Sequence, residues 1–218
     1  MINSLLKSGQ FSSEMNILLL MTLLSLIPVM LICMTTFTRN LIVFSFLRHA
    51  LGLQQSPPNI VIIVLSLVIT IFTMFPIFNK AYEQGFKPYQ SQKMEFSTAI
   101  QEGWKPLKEF MVRQTHEKDI AFIYKMAKQN LPEKADDVEV QYLIPAFMLS
   151  ELTLAFKIGF IIFMPFLLVD LVIAAMLTSL GMIMVPPVTI SLPIKIMLFV
   201  VIDGWELITQ VLVSGAAT

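Results

Sequence analysis

The chain has 218 residues, 56% hydrophobic and 14% charged, with a mean hydropathy of +0.76. A soluble domain averages about 25% charged residues, so this composition excludes an ordinary water-soluble enzyme and indicates an integral membrane protein or one equally apolar. Zero net charge removes an electrostatic case for nucleic acid, and a single cysteine, Cys33, excludes an internal disulfide.

Charge is concentrated. Twenty of the 30 charged residues fall between Lys80 and Tyr142, ten basic and ten acidic. The chain therefore reads as N-terminal hydrophobic helices over 1–79, a polar helical insert over 80–142 and C-terminal hydrophobic helices over 143–218. The expected fold class is all-α: broken or kinked hydrophobic helices with a small helical insert.

The first apolar run, Met15 to Thr38, carries no charge. At about 24 residues it can span roughly 30 Å of hydrocarbon as a helix, with a kink expected at Pro28. Lys7 makes a weak positive flank, but the run is too long for a signal peptide and no small-residue cleavage site follows it. The expectation is a retained segment. Thr35-Thr36-Phe37-Thr38-Arg39 ends the run, and Leu41 to Leu53 continues apolar around Arg48 and His49. Gln54 to Asn59 is a turn by composition. Ile60 to Phe78 is a second charge-free span, a helix by its length despite many β-branched residues. Arg39 and Arg48 between the spans place that junction in the cytoplasm by the positive-inside rule, unless both pair internally.

In the insert, Ser97 to Ile100 can open one helix, and Pro106 suits the first turn of another running to about Gln114. Thr115 is the expected N-cap of a third, with Glu117 and Asp119 favoured in its first turn by the helix dipole. Ile120, Ile123, Tyr124 and Ala127 form its apolar face. Leu131-Pro132 is the expected stop, before an acidic loop over 133–139. Such a charge-balanced insert is a solvated domain or a packing surface between subunits.

From Leu143 the apolar character returns, with Pro145 and Pro165 expected to interrupt it and Glu151, Lys157 and Asp170 embedded in it. A last arm, Ser191 to Val213, holds Pro193, Lys195, Asp203 and Glu206. Charges in such surroundings face a partner or a cavity. Glu151 and Lys157 lie six apart, which is not a pairing distance on one helix; they read as inter-subunit partners, or as side chains snorkelling to water.

Between the arms lies Gly181-Met182-Ile183-Met184-Val185-Pro186-Pro187. Pro186 and Pro187 lack amide donors and push the residue before each out of the helical region, and Gly181 frees the backbone upstream. A broken backbone at membrane depth survives only where protein or a water-filled cavity covers it, and a cavity is the expectation.

No catalytic pattern stands out. The histidines, His49 and His116, are far apart, no zinc or cysteine motif exists, and neither a nucleophile elbow nor a phosphate loop is present. Asp170 and Asp203 could form an aspartyl dyad, but nothing around them supports one. The chain reads as a non-enzyme without metal or cofactor.

Thr36-Phe37-Thr38-Arg39, Arg48-His49-Ala50-Leu51-Gly52-Leu53-Gln54-Gln55 and Pro57-Pro58-Asn59 resemble the N-terminal signature of the FliP family of flagellar type III export-gate subunits, related to the SctR subunits of injectisomes. Leu143 to Phe147, Ser150-Glu151-Leu152, Ala155 to Phe160, Pro165 to Asp170, Gly181 to Pro187, Ser191-Leu192-Pro193 and Asp203-Gly204-Trp205 resemble its second half. The similarity covers about Leu20 to Trp205 and is weakest in the insert. Many members carry a cleaved leader, and none is evident ahead of Met15.

The resemblance implies a pentamer-like ring joined by FliQ and FliR subunits and docked to FlhB. That assembly would sit in the bacterial inner membrane at the flagellar basal body, and its helices largely above the bilayer plane. It would pass unfolded flagellar subunits out of the cytoplasm. It also implies a pore gasket at the join: Met182, Ile183 and Met184, with isoleucine in one gasket position. Methionine is unbranched and polarizable, so several copies can pack a channel shut and still yield, and apolar constrictions close by dewetting. In such a ring, Glu151 is expected to pair with Arg113 or His116 of the neighbouring subunit. The rivals are a small-solute transporter or ion channel using Asp170, Lys195 and Asp203, and an intramembrane protease.

Overall fold

A computed structural model describes residues 13–217 except 133, 135, 136 and 183. The leader reading around Lys7, part of the acidic loop and Ile183 of the gasket lie outside the described residues. The fold is all-helical, with no strand among the described residues. The helices are α1 (Ser13–Met34), α2 (Phe37–Ala50), α3 (Asn59–Ala81), α4 (Lys87–Gln90), α5 (Phe96–Gln114), α6 (Glu117–Met126), α7 (Val140–Ser179), α8 (Val188–Val201) and α9 (Gly204–Ala217). A π-helical turn, Tyr82–Phe86, follows α3 directly. Two stretches, Asn59–Gln90 and Val140–Ser179, are long and apolar enough to cross a membrane.

The chain divides into two compact units. The first comprises the chain up to Thr35 with Phe75–Met148. Its core is Phe110 and Met111 of α5 against Leu143, Ala146 and Phe147 of α7, all buried, with the Phe110 and Phe147 rings edge to face at 6.1 Å. Glycine is required where the π-helical turn meets α5: a Cβ on Gly85 would fall 2.6 Å from the Ala99 carbonyl oxygen and 2.8 Å from the Gly103 Cα.

Local signals mislead in several places in this unit. Helix α5 runs unbroken through Pro106, whose side chain is buried, where two helices were expected. One missing N–H is outweighed because Ala99, Phe110 and Met111 bury the same face. Thr115 does not cap α6. It closes α5, its hydroxyl donating back to the Met111 carbonyl at 2.6 Å, and His116 takes the N-cap position. Helix α6 stops at Met126, ahead of Leu131-Pro132, because Lys128 turns left-handed (φ 55°) and the amides of Lys128 and Gln129 reach the carbonyls of Lys125 and Tyr124.

The second unit comprises Thr36–Met74 and Leu149–Thr218. Its core draws Val43, Phe44 and Leu47 from α2, Ile62 and Ile69 from α3, Phe166 from α7, Phe199 from α8 and Leu212 from α9. Each such side chain contributes about 1.5–3 kcal/mol on full burial. Helix α7 is continuous over 40 residues, and neither Pro145 nor Pro165 interrupts it. Packing of Phe147, Ala155 and Phe166 on either side holds the ladder across each missing donor. The expected single arm from Ser191 to Val213 is instead two helices, α8 and α9, bent by 62°. The corner falls at Asp203, which is left-handed (φ 50°).

Candidate functional site

The candidate site is the elbow between α7 and α8, whose arms carry buried charges. Its first half is a glycine-closed helix end. Gly181 is left-handed (φ 75°), its amide reaches the Thr178 carbonyl at 3.1 Å, and the Met182 amide reaches Leu177 at 2.9 Å. Those two bonds satisfy carbonyls that a helix end would otherwise leave without donors. A Cβ on Gly181 would meet nothing within 4 Å, so glycine is there for its backbone, not for space.

The second half starts a helix. Pro187 is the N-cap of α8, and the Pro187 carbonyl accepts from the Ser191 amide at 2.9 Å. First-turn amides have no partner within the helix, so residues without an amide lose nothing there. The prolines thus end one segment and open the next. Between the halves, Met184 is 98% exposed and Met182 is also exposed.

Two ion pairs tie the helices of the second unit together, one on the arms of the elbow and one far down α7. Asp170 on α7 accepts from the Ser191 hydroxyl at 2.7 Å and from Lys195 Nζ at 2.5 Å, both on α8. Lys195 Nζ also donates to the Ala50 carbonyl at the end of α2, at 3.1 Å. The lysine side chain is 6% exposed and the aspartate 34%. This cluster therefore ties the two arms of the elbow to each other and to α2, from the arms' sides rather than at their tip.

The second pair is dry. Arg39 on α2 and Glu151 on α7 have 0% side-chain exposure. Arg39 Nε donates to Glu151 Oε2 at 2.9 Å, Nη2 donates to Oε1, and Nη1 donates to the Gly215 carbonyl near the end of α9 at 3.1 Å. A planar guanidinium meeting a carboxylate two-on-two, with a third bond to backbone, satisfies charges that burial would otherwise make costly.

The other expected site residues are dispersed. Lys157 and Arg113 are exposed, His116 is half-buried, and Asp203 is exposed in the α8–α9 corner. Asp170 has Ser191 and Lys195 as partners, so the structure does not place it in a dyad with Asp203. Among the described residues no group of three or more His, Cys, Asp or Glu could hold a metal. Sequence reasoning named Glu151, Asp170 and Lys195, but it offered Arg113 or His116 of a neighbour to Glu151 rather than Arg39, and it did not pair Asp170 with Lys195. A signal existed: the few charges of the apolar parts include both signs, so each could have been tried against the others.

The FliP family model matches residues 20–212. The flagellar biosynthetic protein FliP of Buchnera aphidicola subsp. Baizongia pistaciae is 48% identical over 91% of this chain and 55% of its own length. That of Pectobacterium carotovorum is 47% identical over 88% of this chain and 74% of its own. That of Bacillus subtilis is 46% identical over 94% and 92%. The chain thus spans about half of the Buchnera protein and nearly all of the Bacillus one.

Proposed function

Since the chain belongs to the FliP family of flagellar biosynthetic proteins, we propose that it is a pore-forming, non-enzymatic subunit of the flagellar protein-export gate. Several copies, in a pentamer-like ring with FliQ and FliR subunits and FlhB, encircle a conduit in the inner membrane at the basal body. Unfolded flagellar subunits leave the cytoplasm through it.

The observation that carries this reading is the elbow. Met182 and Met184, 41% and 98% exposed, sit at a backbone break, while the arms on either side are pinned by Asp170 and Lys195. Apolar, flexible side chains on a fixed mount suit a seal assembled from several copies and opened by an arriving chain. The apolar flank of α7, with Phe156 and Phe160 exposed, also needs a covering that one copy does not supply. Contact between copies falls to exposed charges such as Lys157 and Arg113, because the Glu151 carboxylate is already held by Arg39.

The test is the double variant Met182→Ala with Met184→Ala, co-expressed with its partners. Membrane conductance to small ions should rise while export persists. Unchanged conductance would count against the seal.

A further inference from the structure

Half of the charges in the second unit cancel one another: Arg39 holds Glu151, and Lys195 holds Asp170. Arg48, Lys157, Asp203 and Glu206 remain, and no ion pair among the described residues includes them. Arg48 at least has neutral partners, the Asn59 side-chain oxygen and the Pro57 carbonyl. Lys157, exposed on α7, has no hydrogen-bond or ion-pair partner among the described residues. The face around it is apolar. Phe156, Phe160 and Ile161 are exposed, and a shallow depression of about 600 Å³ beside Lys157 is lined by Leu152, Phe156 and Phe160. The two leftover carboxylates sit together at the α8–α9 corner, which is also apolar around them: Val200, Val201, Ile202 and Leu207 are exposed.

We infer that the α8–α9 corner of one copy docks on the Lys157 face of α7 of the next copy, with the ammonium held by Asp203 and Glu206. Three observations select a second copy as the occupant. First, the signs match. A cation in an apolar contact is costly unless a carboxylate meets it, and this chain carries two unpaired carboxylates in an apolar setting of their own. Second, the levels match. Asp170 meets Lys195, and the Phe166 and Phe199 rings lie 6.4 Å apart, so α8 runs antiparallel to α7 and its corner comes level with about Ile162. Lys157 is about five residues further, roughly 8 Å at 1.5 Å per residue, and its flexible four-carbon stem spans most of that. In a ring whose axis follows these helices, neighbours differ by rotation and the levels are kept. The pair is not made within one copy, and a contact between two different patches of one chain repeats head to tail around a closed ring. Third, the corner is rigid. Gly204 lies against the Phe199 ring, which packs edge to face on Trp205 at 5.3 Å, so docking pays little to order it.

This inference rests on the ring proposed above, and the experiment separates the two. The full chain is co-expressed with its partner subunits and purified in detergent, and the native mass of the complex gives the number of copies in it. Lys157→Glu should lower the yield of multi-copy complex about tenfold, because like charges then face each other at every contact. Lys157→Arg should leave the yield unchanged. Asp203→Asn with Glu206→Lys reverses the corner instead, asparagine being tolerant of the left-handed backbone there. That pair should lower the yield as Lys157→Glu does, and combining all three should restore it to within about twofold. A second readout needs no charge reversal. Two differently tagged chains, both with Cys33→Ser, carry Lys157→Cys in one and Glu206→Cys in the other, and a short bismaleimide should join the two tags in one band. Multi-copy complex that forms without that band, or a charge swap that restores nothing, overturns the inference and leaves the ring standing. A band joining Lys157→Cys to a different subunit also overturns it, and gives the α7 face to that subunit. An unaltered chain present only as single copies overturns the ring and the contact together.

Discussion

The last third of the chain turns twice, and the two turns are opposites. At the elbow, Gly181 has open space around it and Met184 projects fully into solvent. At the α8–α9 corner, a Cβ on Gly204 would fall 2.1 Å from the Phe199 ring, which itself packs edge to face on Trp205 at 5.3 Å. Both turns use a left-handed residue, Gly181 in one and Asp203 in the other. The backbone operation is shared; the packing is not. The ion pairs follow the same division. The helix α9 beyond the sealed corner is held at Gly215 by the dry Arg39–Glu151 pair, and the arms of the open elbow are held by the Asp170–Lys195 pair, whose aspartate is one-third exposed. A corner filled with aromatic rings is fixed, whereas an empty one leaves its residues free to meet something else. That difference fits a structural role for the corner and a working role for the elbow.

The comparison can be broken by mutation, starting with the largest effect. Glu151→Ala leaves Arg39 buried without its counter-charge and should cost about 3–5 kcal/mol, read as a lowered melting temperature of the detergent-purified protein. If the loss comes from the stranded charge, Arg39→Met with Glu151→Met should recover most of it. A double variant as unstable as the single one would show that shape, not charge, holds α9.

Gly204→Ala should cost about 1–3 kcal/mol, because the methyl displaces the Phe199 ring. Adding Phe199→Leu makes room, so part of the loss should return. Without that recovery, the corner is not sealed by this contact. Asp170→Asn removes a charge that is one-third exposed and should cost less than Glu151→Ala, about 1–2 kcal/mol. A loss as large as that of Glu151→Ala would erase the distinction between the two pairs. Smallest is Gly181→Ala, at about 1 kcal/mol from the left-handed backbone alone, since no atom lies close enough to clash. Should it cost more than Gly204→Ala, the elbow is packed and the comparison is reversed.

Much of this was legible residue by residue. Gly181, Pro186 and Pro187 mark the elbow through what each backbone lacks, and the apolar runs mark helices through length and composition. Gly52 closes α2 as Gly181 closes α7, with a left-handed φ of 78°, its amide donating to the His49 carbonyl and the Leu53 amide to the Arg48 carbonyl. Gln92 and Lys128 make the same closure with side chains that carry no such signal. Pro106, Pro145 and Pro165 carry the signal of a break and make none.

By itself, then, the sequence determined an all-helical, apolar chain with a charged insert and a proline-marked elbow, because those properties follow from donors, lengths and side-chain polarity counted locally. Only the tertiary structure decided which prolines stay inside helices, where the second corner falls, and that Glu151 answers to Arg39, 112 residues away along the chain. The physical reason is range. A missing amide acts within one helical turn, whereas its cost is offset, and a buried charge is matched, by side chains that distant segments bring to the same place.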